Sequence, residues 1–269
     1  MISALNWNIR GMKSQAATER LNFLITQYKI SFLAIQEPFI KEDKIISFKN
    51  KLNMIECFAN SSNKIWLFWN SDITCNVFAN EDQMVTCKIM DNKAGKEFYI
   101  SVIYAKSRSS GREDLWRYMR IFATTLNSPW AVCRDFNSIL NGDEKLGGLP
   151  HRLEKSIPFI EYINDCGLSD MGYSGSKYTW CNERKEQDII WKRLDRFLAN
   201  EQWEECFSKT SILHLARYSS DHCPLLINMM TEEVNAIRYF KFLNFWAEQE
   251  DFLNIVKEQW EVDITGNIF

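Results

Sequence analysis

Asn8, Glu37, Tyr104, Asp135, Asn137, Asp195, Asp221 and His222 all stand at the ends of short apolar runs, and strand ends are where an α/β protein keeps its chemistry. If those ends converge, they offer carboxylates for a hard divalent cation, an imidazole, and amide and phenol donors for an anion. Mg²⁺ takes oxygen ligands and keeps several waters, so one or two direct carboxylates suffice to hold it. Such a site suits phosphodiester hydrolysis, in which a cation and neutral donors offset charge developing on phosphoryl oxygens. Singly, each residue has a plainer reading. Glu37 alone is a solvated loop residue, and Asp135-Phe136-Asn137 is an Asx-type turn bonded to its own backbone. His222 is one of 3 histidines and follows Asp221, yet neighbours on a strand point to opposite faces, so a different carboxylate must orient it.

The elements that would position these residues are legible in the apolar periodicity. Leu5–Ile9 reads as a strand, Leu21, Leu24, Ile25 and Tyr28 as one face of a helix, and Phe32–Ile35 as a buried strand, a β-α-β unit with Asn8 and Glu37 at its strand ends. Ile65–Trp69, Ile73–Phe78, Met84–Met90 and Phe98–Tyr104 follow without helices between them, which implies antiparallel pairing. Leu115, Met119, Phe122 and Leu126 line a helix over Glu113–Leu126, and a strand at Trp130–Cys133 delivers Arg134-Asp135-Phe136-Asn137. A loop with Gly147, Gly148 and Pro150 leads to a helix over Glu154–Cys166, with Ile157, Ile160 and Ile163 expected inward. Tyr178–Arg196 reads as two short strands, the second carrying Arg193-Leu194-Asp195-Arg196, and Cys223–Met229 as a buried strand. The fold class expected is α/β.

Composition narrows the chemistry. The chain has 269 residues, 46% of them apolar, which excludes a disordered chain. It has 10 glycines and no GxGxxG or GxxxxGK[ST] run, so phosphate would be handled by side chains or a metal. With a formal net charge of −3 there is no global field to attract nucleic acid, and any binding requires a local basic patch. Arg108, Arg112, Arg117, Arg120, Arg152, Lys155, Lys192, Arg193 and Arg196 are the candidates. The 8 cysteines contain no CxxC pair, and Met1–Gly11 does not resemble a secretion signal, so reduced thiols in an intracellular protein are expected. No apolar run reaches the ~18 residues of a membrane span. From residue 230 to 269 the sequence turns aromatic, and Phe245, Phe252, Val256 and Trp260 could share a helix face packed on the main domain or on a partner.

The segments Trp7-Asn8-Ile9-Arg10-Gly11, Gln36-Glu37-Pro38, Ile103-Tyr104-Ala105, Asp135-Phe136-Asn137, Tyr178-Thr179-Trp180, Arg193-Leu194-Asp195-Arg196 and Ser220-Asp221-His222 resemble, in order, those of the endonuclease/exonuclease/phosphatase superfamily. The opening, YTW, RLDR and SDHCPL are most similar to the endonuclease domain of plant LINE-type (non-LTR) retrotransposons. The resemblance spans residues 1–229 as one domain and implies a DNase I-like α+β fold: a four-layer sandwich of two packed mixed β-sheets flanked by helices. It implies Glu37, with Asn8 and Asp221, for Mg²⁺ (Mn²⁺ as substitute) and no other small-molecule cofactor. Asp135 would activate water, Asn137 and Tyr104 would bond the phosphate or leaving oxygen, and Asp195 would hold His222 against the phosphoryl group. Asn8, Thr179, Ser220, Arg193 and Arg196 would support substrate binding. The partner implied is DNA, nicked in the nucleus to leave a 3′-hydroxyl. The 230–269 segment would lead towards a reverse transcriptase that this sequence lacks, as in a truncated element or a host gene derived from one. One position departs: the family's usual Gly before Asp135 is Arg134, which would either obstruct close approach or grip a phosphate. The alternative function is a catalytically decayed remnant that only binds nucleic acid or protein. A phosphatase of lipid or inositol esters is a third class.

Overall fold

Neighbouring residues of the first strands face different cores. In the computed structural model, which describes residues 1–231 and 251–260, the elements in chain order are β1 (Ile2–Asn8), α1 (Gln15–Tyr28), β2 (Phe32–Gln36), α2 (Ile45–Lys51), β3 (Glu56–Ala59), β4 (Ile65–Trp69), β5 (Ile73–Glu81), β6 (Met84–Asp91), β7 (Lys96–Tyr104), α3 (Glu113–Thr125) and β8 (Trp130–Asp135). They continue with β9 (Lys145–Leu146), α4 (Ile157–Asp165), β10 (Ser169–Asp170), β11 (Ser174–Gly175), β12 (Trp180–Cys181), β13 (Trp191–Lys192), β14 (Asp195–Ala199), α5 (Glu201–Cys206), β15 (Lys209–His214), β16 (Leu225–Met230) and α6 (Phe252–Trp260). The chain divides into two units, Met1–Glu232 and Glu233–Phe269.

Two large mixed sheets form in the first unit, ordered β11-β15-β16-β1-β2-β4-β3 and β10-β14-β8-β7-β6-β5, with a small sheet β12-β13-β9 beside them. Ala4, Phe32 and Ala34 of one sheet meet Val85, Phe98, Ile100 and Cys133 of the other in a central core. Leu5, Trp7, Leu33 and Ile35, one residue out of phase, pack under α1 and α2 against Leu21, Leu24 and Phe48. On the far side Ile103, Trp130 and Val132 pack beneath α3 and α4 against Trp116, Met119, Phe159 and Tyr162. Period-2 alternation in strands buried on both faces therefore yields four layers, helices outermost. β1 and β2 are parallel across α1, and β5, β6 and β7 are antiparallel, while β4 pairs with β2 in the first sheet.

The structure corrects two local expectations and adds a strand that the sequence pattern does not show. α4 buries Phe159 and Tyr162, while Ile157 is 42% exposed. Aromatic stacking decides the face, since Tyr162 lies 4.6 Å from Trp116 between ring centroids. The segment Tyr178–Arg196 does not carry RLDR on one strand: β13 ends at Lys192 and Asp195 opens β14 in a different sheet. β15 escapes its sequence pattern because most of it is only half-buried. The 8 cysteines are all free, and among the described residues no helix is long and apolar enough to cross a membrane. The expected helix face through Phe245 lies outside the described residues, apart from α6.

Candidate active site

Strand register assembles the site before any side chain acts. Across β7, β8 and β14, Tyr104 stands opposite Asp135, and Asp135 opposite Asp195, in one row at the edge of the second sheet. In the first sheet Asn8 pairs in register with Gln36, so Glu37 emerges immediately beyond β2 at the same edge. The 220–222 turn is tied between the sheets. Ser220 Oγ donates to the Asn8 carbonyl at 2.6 Å and accepts the His222 amide at 3.1 Å, and the Trp7 indole donates to the His222 carbonyl at 3.2 Å. Cys181 and Cys223 amides bond the Asp221 and Thr179 carbonyls, fastening this turn to β12. Arg10, Glu37, Arg134, Asn137 and Ser219 around it have φ of 49, 49, 111, 47 and 50°. Non-glycine backbone in that region is costly and persists where surrounding structure imposes it.

His222 lies between two carboxylates. Its Nδ1 is 2.9 Å from Asp195 Oδ2, and its Nε2 is 3.7 Å from Asp135 Oδ2. Accepting at Nδ1, Asp195 orients the ring so that Nε2 faces the site. Burial favours neutral imidazole, but Asp195 first and Asp135 next outweigh it and raise the pKa of His222. Burial also opposes ionisation of Asp195, yet the Arg134 and His222 charges hold it below the usual carboxylate range. For Asp135 the balance falls the other way: burial pushes it up to about 6 and Asp195 adds to the rise, against the opposing His222, Asn137 amide and Arg134.

Arg134 neither obstructs the site nor reaches towards a phosphate. Its side chain runs inwards, fully buried, with Nη1 3.3 Å from Asp195 Oδ1 and 3.2 Å from the Asn6 carbonyl. The φ of 111° at this residue is the conformation that favours glycine. The guanidinium therefore supports Asp195 from behind, on the side away from His222.

The second half of the site is a carboxylate pair. Arg10 spans Glu37 and Asp221, its Nε 3.3 Å from Glu37 Oε2 and its Nη1 2.5 Å from Asp221 Oδ2. Both contacts raise the Arg10 pKa, the hydrogen bond to Asp221 most. The Trp180 indole donates to Asp221 Oδ2 at 2.9 Å, and the Tyr104 hydroxyl donates to Glu37 Oε1. Asn8 Oδ1 and Asp221 Oδ1 are buried oxygens without a hydrogen-bond donor, and Glu37 Oε2 has only its ion pair with Arg10. Orphaned buried oxygens call for a partner, and two carboxylates with one amide oxygen are the donor chemistry of Mg²⁺ or Mn²⁺ rather than of a softer metal. The residues fit a hard cation. Among the described residues no three His, Cys, Asp or Glu side chains form a closed metal cluster, so water would complete the coordination.

Other expected substrate residues are used internally. Asn137 Nδ2 spans the Ala105 carbonyl at 2.7 Å and Asp135 Oδ2 at 3.3 Å, while its amide donates to Asp135 Oδ1 at 2.8 Å, which is the Asx turn. Thr179 Oγ1 accepts the Leu194 and Asp195 amides at 3.0 Å each, positioning Asp195. Arg193 and Arg196 are not available to a phosphate: both are buried in ion pairs with Glu144 and Asp170. Arg112 is likewise buried on the Lys106 and Ser107 carbonyls. Arg10 and Trp180 lie inside the recognised motifs, but no sequence spacing indicates that both reach Asp221.

No family model matches the chain, and no curated protein matches it. Among solved structures it is similar to the endonuclease domain of TRAS1, a telomere-specific non-LTR retrotransposon, at 14% identity and a TM-score of 0.66 over 87% of this chain and 100% of that one. An AP endonuclease from Leishmania major gives 14% and 0.66 over 86% and 88%. The 3′ phosphatase NExo from Neisseria, bound to product DNA hairpin, gives 14% and 0.62 over 85% and 99%. At such identities the likeness speaks to architecture, and the chain has the DNase I-like fold of endonuclease/exonuclease/phosphatase proteins.

Proposed function

We propose that this protein is a divalent-cation-dependent endonuclease that hydrolyses phosphodiester bonds in DNA. The observation that carries this reading is the Asp195–His222–Asp135 line facing the Glu37–Asp221 pair, with buried oxygens on the Glu37 side that lack a donor. Asp195 fixes the imidazole so that Nε2 donates to a non-bridging phosphoryl oxygen. Asp135, held by Asn137, takes a proton from water as its oxygen attacks phosphorus. The P–O3′ bond breaks, and the leaving oxygen takes up a proton to become a 3′-hydroxyl, with the 5′-phosphate on the other fragment. Glu37, Asp221 and Asn8 would hold Mg²⁺, which would supply positive charge to the phosphoryl oxygens. Tyr104 orients Glu37.

That Arg134 lies behind Asp195 supports an intact site over a decayed remnant. The likeness to a retrotransposon endonuclease domain and the RLDR and SDHCPL segments support nicking that leaves a primer, as in LINE elements. Supercoiled plasmid with Mg²⁺ is expected to be nicked, EDTA to stop it, and Glu37→Ala or His222→Ala to slow it by roughly 10²–10⁴-fold. Undiminished nicking by both variants refutes the assignment.

A further inference from the structure

Beside the site lies a cleft of about 510 Å³ lined by Asn137, Lys145, Leu149, His151, Lys155 and Lys192 among others, so it opens directly onto the residue that holds Asp135. Its charge is predominantly positive: among the described residues its lining holds one acid, Glu154, and that acid pairs with Arg152 at 3.5 Å. In the small sheet, Lys145 and Lys192 are register partners on β9 and β13, and like charges directly opposite on adjacent strands are destabilising. Lys155 reaches the same cleft from the turn that precedes α4. Among the described residues none of these three lysines has a carboxylate within ion-pair distance. Glu144, next to Lys145 in sequence, is committed to Arg193 and Arg196, and Glu154, next to Lys155, is paired with Arg152. The crowding is felt by its members: burial first, then Lys145 and Lys155, lower the pKa of Lys192, and burial followed by the three lysines lowers that of His151.

The loop that presents these charges is built to hold one shape. A Cβ on Gly147 would come within 2.2 Å of the Ile189 carbonyl oxygen, and Gly147 has φ of +81°, so only glycine lets the loop pass β13 so closely. At its tip, between these cations, Leu149 is 85% exposed. Free phosphate has no use for an exposed leucine, whereas the sugars and bases of a nucleic acid do.

We propose that this cleft binds the backbone phosphates of the DNA strand flanking the scissile phosphate. The inference rests on the endonuclease reading for the position of the scissile bond, and it explains how a chain of net charge −3 grips a polyanion. The test is equilibrium binding of a labelled DNA duplex by the full chain in EDTA, across a salt series. For Lys145→Ala/Lys155→Ala/Lys192→Ala the slope of log K against log salt is expected to shrink by about 2–3, with roughly tenfold or greater weakening at ~0.1 M salt, because each neutralised phosphate contributes about 0.9. Lys44→Ala/Lys93→Ala/Lys209→Ala, removing the same charge elsewhere, is expected to leave the slope within about 0.5 of the parent. Leu149→Ala is expected to weaken binding without changing the slope. Because the cleft lysines repel one another, the first variant is expected to melt no lower than the parent. An unchanged slope in that variant, equal losses in both triple variants, or failure of the parent to bind duplex overturns the proposal. The endonuclease reading fails separately: plasmid left intact in Mg²⁺, while the salt slope still depends on the cleft, removes that reading and leaves the DNA subsite.

Discussion

A carboxyl raised to about 6 by burial is the base in the proposed reaction, so nicking is expected to fall about tenfold per pH unit below roughly pH 6, to level off above it, and to fall again at higher pH, once His222 loses the Nε2 proton it donates. The stability effect has the opposite sense. A raised carboxyl contributes stability below its unfolded value of 3.8 that is lost as pH rises through about 6. Asp135→Asn keeps an acceptor for the Asn137 amide but removes the penalised charge. Its melting temperature at neutral pH is expected to equal or exceed the parent's while nicking drops by about 10²-fold or more; a coupled loss of both is the contrary result. Arg134→Gly separates strain from pairing. Glycine relieves a φ of 111°, worth about 1 kcal/mol, but leaves Asp195 buried beside a void and without its cation, a loss of about 3–5 kcal/mol. Urea denaturation is expected to find the variant less stable and plasmid assays to find it less active, not restored.

The quartet of Glu144, Asp170, Arg193 and Arg196 joins the turn before β9 to β10 and to the segment leading into β14. Arg193 and Arg196 each contact both acids, with Arg193 Nη2 2.9 Å and Arg196 Nη1 2.8 Å from Asp170. Cutting one member leaves a buried charge uncompensated, so Glu144→Ala is expected to cost about 3–5 kcal/mol in urea unfolding. Burial opposes ionisation of Asp170, but Arg196 and Arg193 outweigh it and lower its pKa. The stability it contributes is therefore present above its unfolded value of 3.8 and lost as pH falls through the depressed native one. RLDR is legible as a motif, yet its arginines suggest a phosphate grip. Nothing local in the sequence points to their acids, because the partners lie 23 to 52 residues away.

Three cores, one between the sheets and one under each helical layer, all lie within Met1–Glu232. A chain ending at Glu232 is accordingly expected to melt cooperatively, within a few degrees of the 269-residue protein; circular dichroism on both chains checks this, and a loss of cooperative melting would show that the first unit depends on the second. EDTA is expected to abolish nicking without unfolding the protein, since the expected metal ligands are not members of the three apolar cores.

Apolar periodicity alone determined the β-α-β opening and the antiparallel β5-β6-β7 run, because alternation in a doubly covered strand is a local property of the chain, but it did not show that β4 leaves that run to pair with β2 and β3 in the other sheet. The candidate residues Asn8, Glu37 and Asp135 could be placed for the same reason, since each sits where a strand stops, whereas Asp195 opens β14 and His222 lies in the turn before β16, so their placing came from the motifs alone. What only the tertiary structure decided is partnership. Arg134 turns inwards to Asp195, Asn137 turns back to Asp135, and Lys145 meets Lys192 across two strands because sheet packing and register set those distances. A side chain's neighbours are fixed by long-range closure of the fold, and composition and spacing carry no record of it.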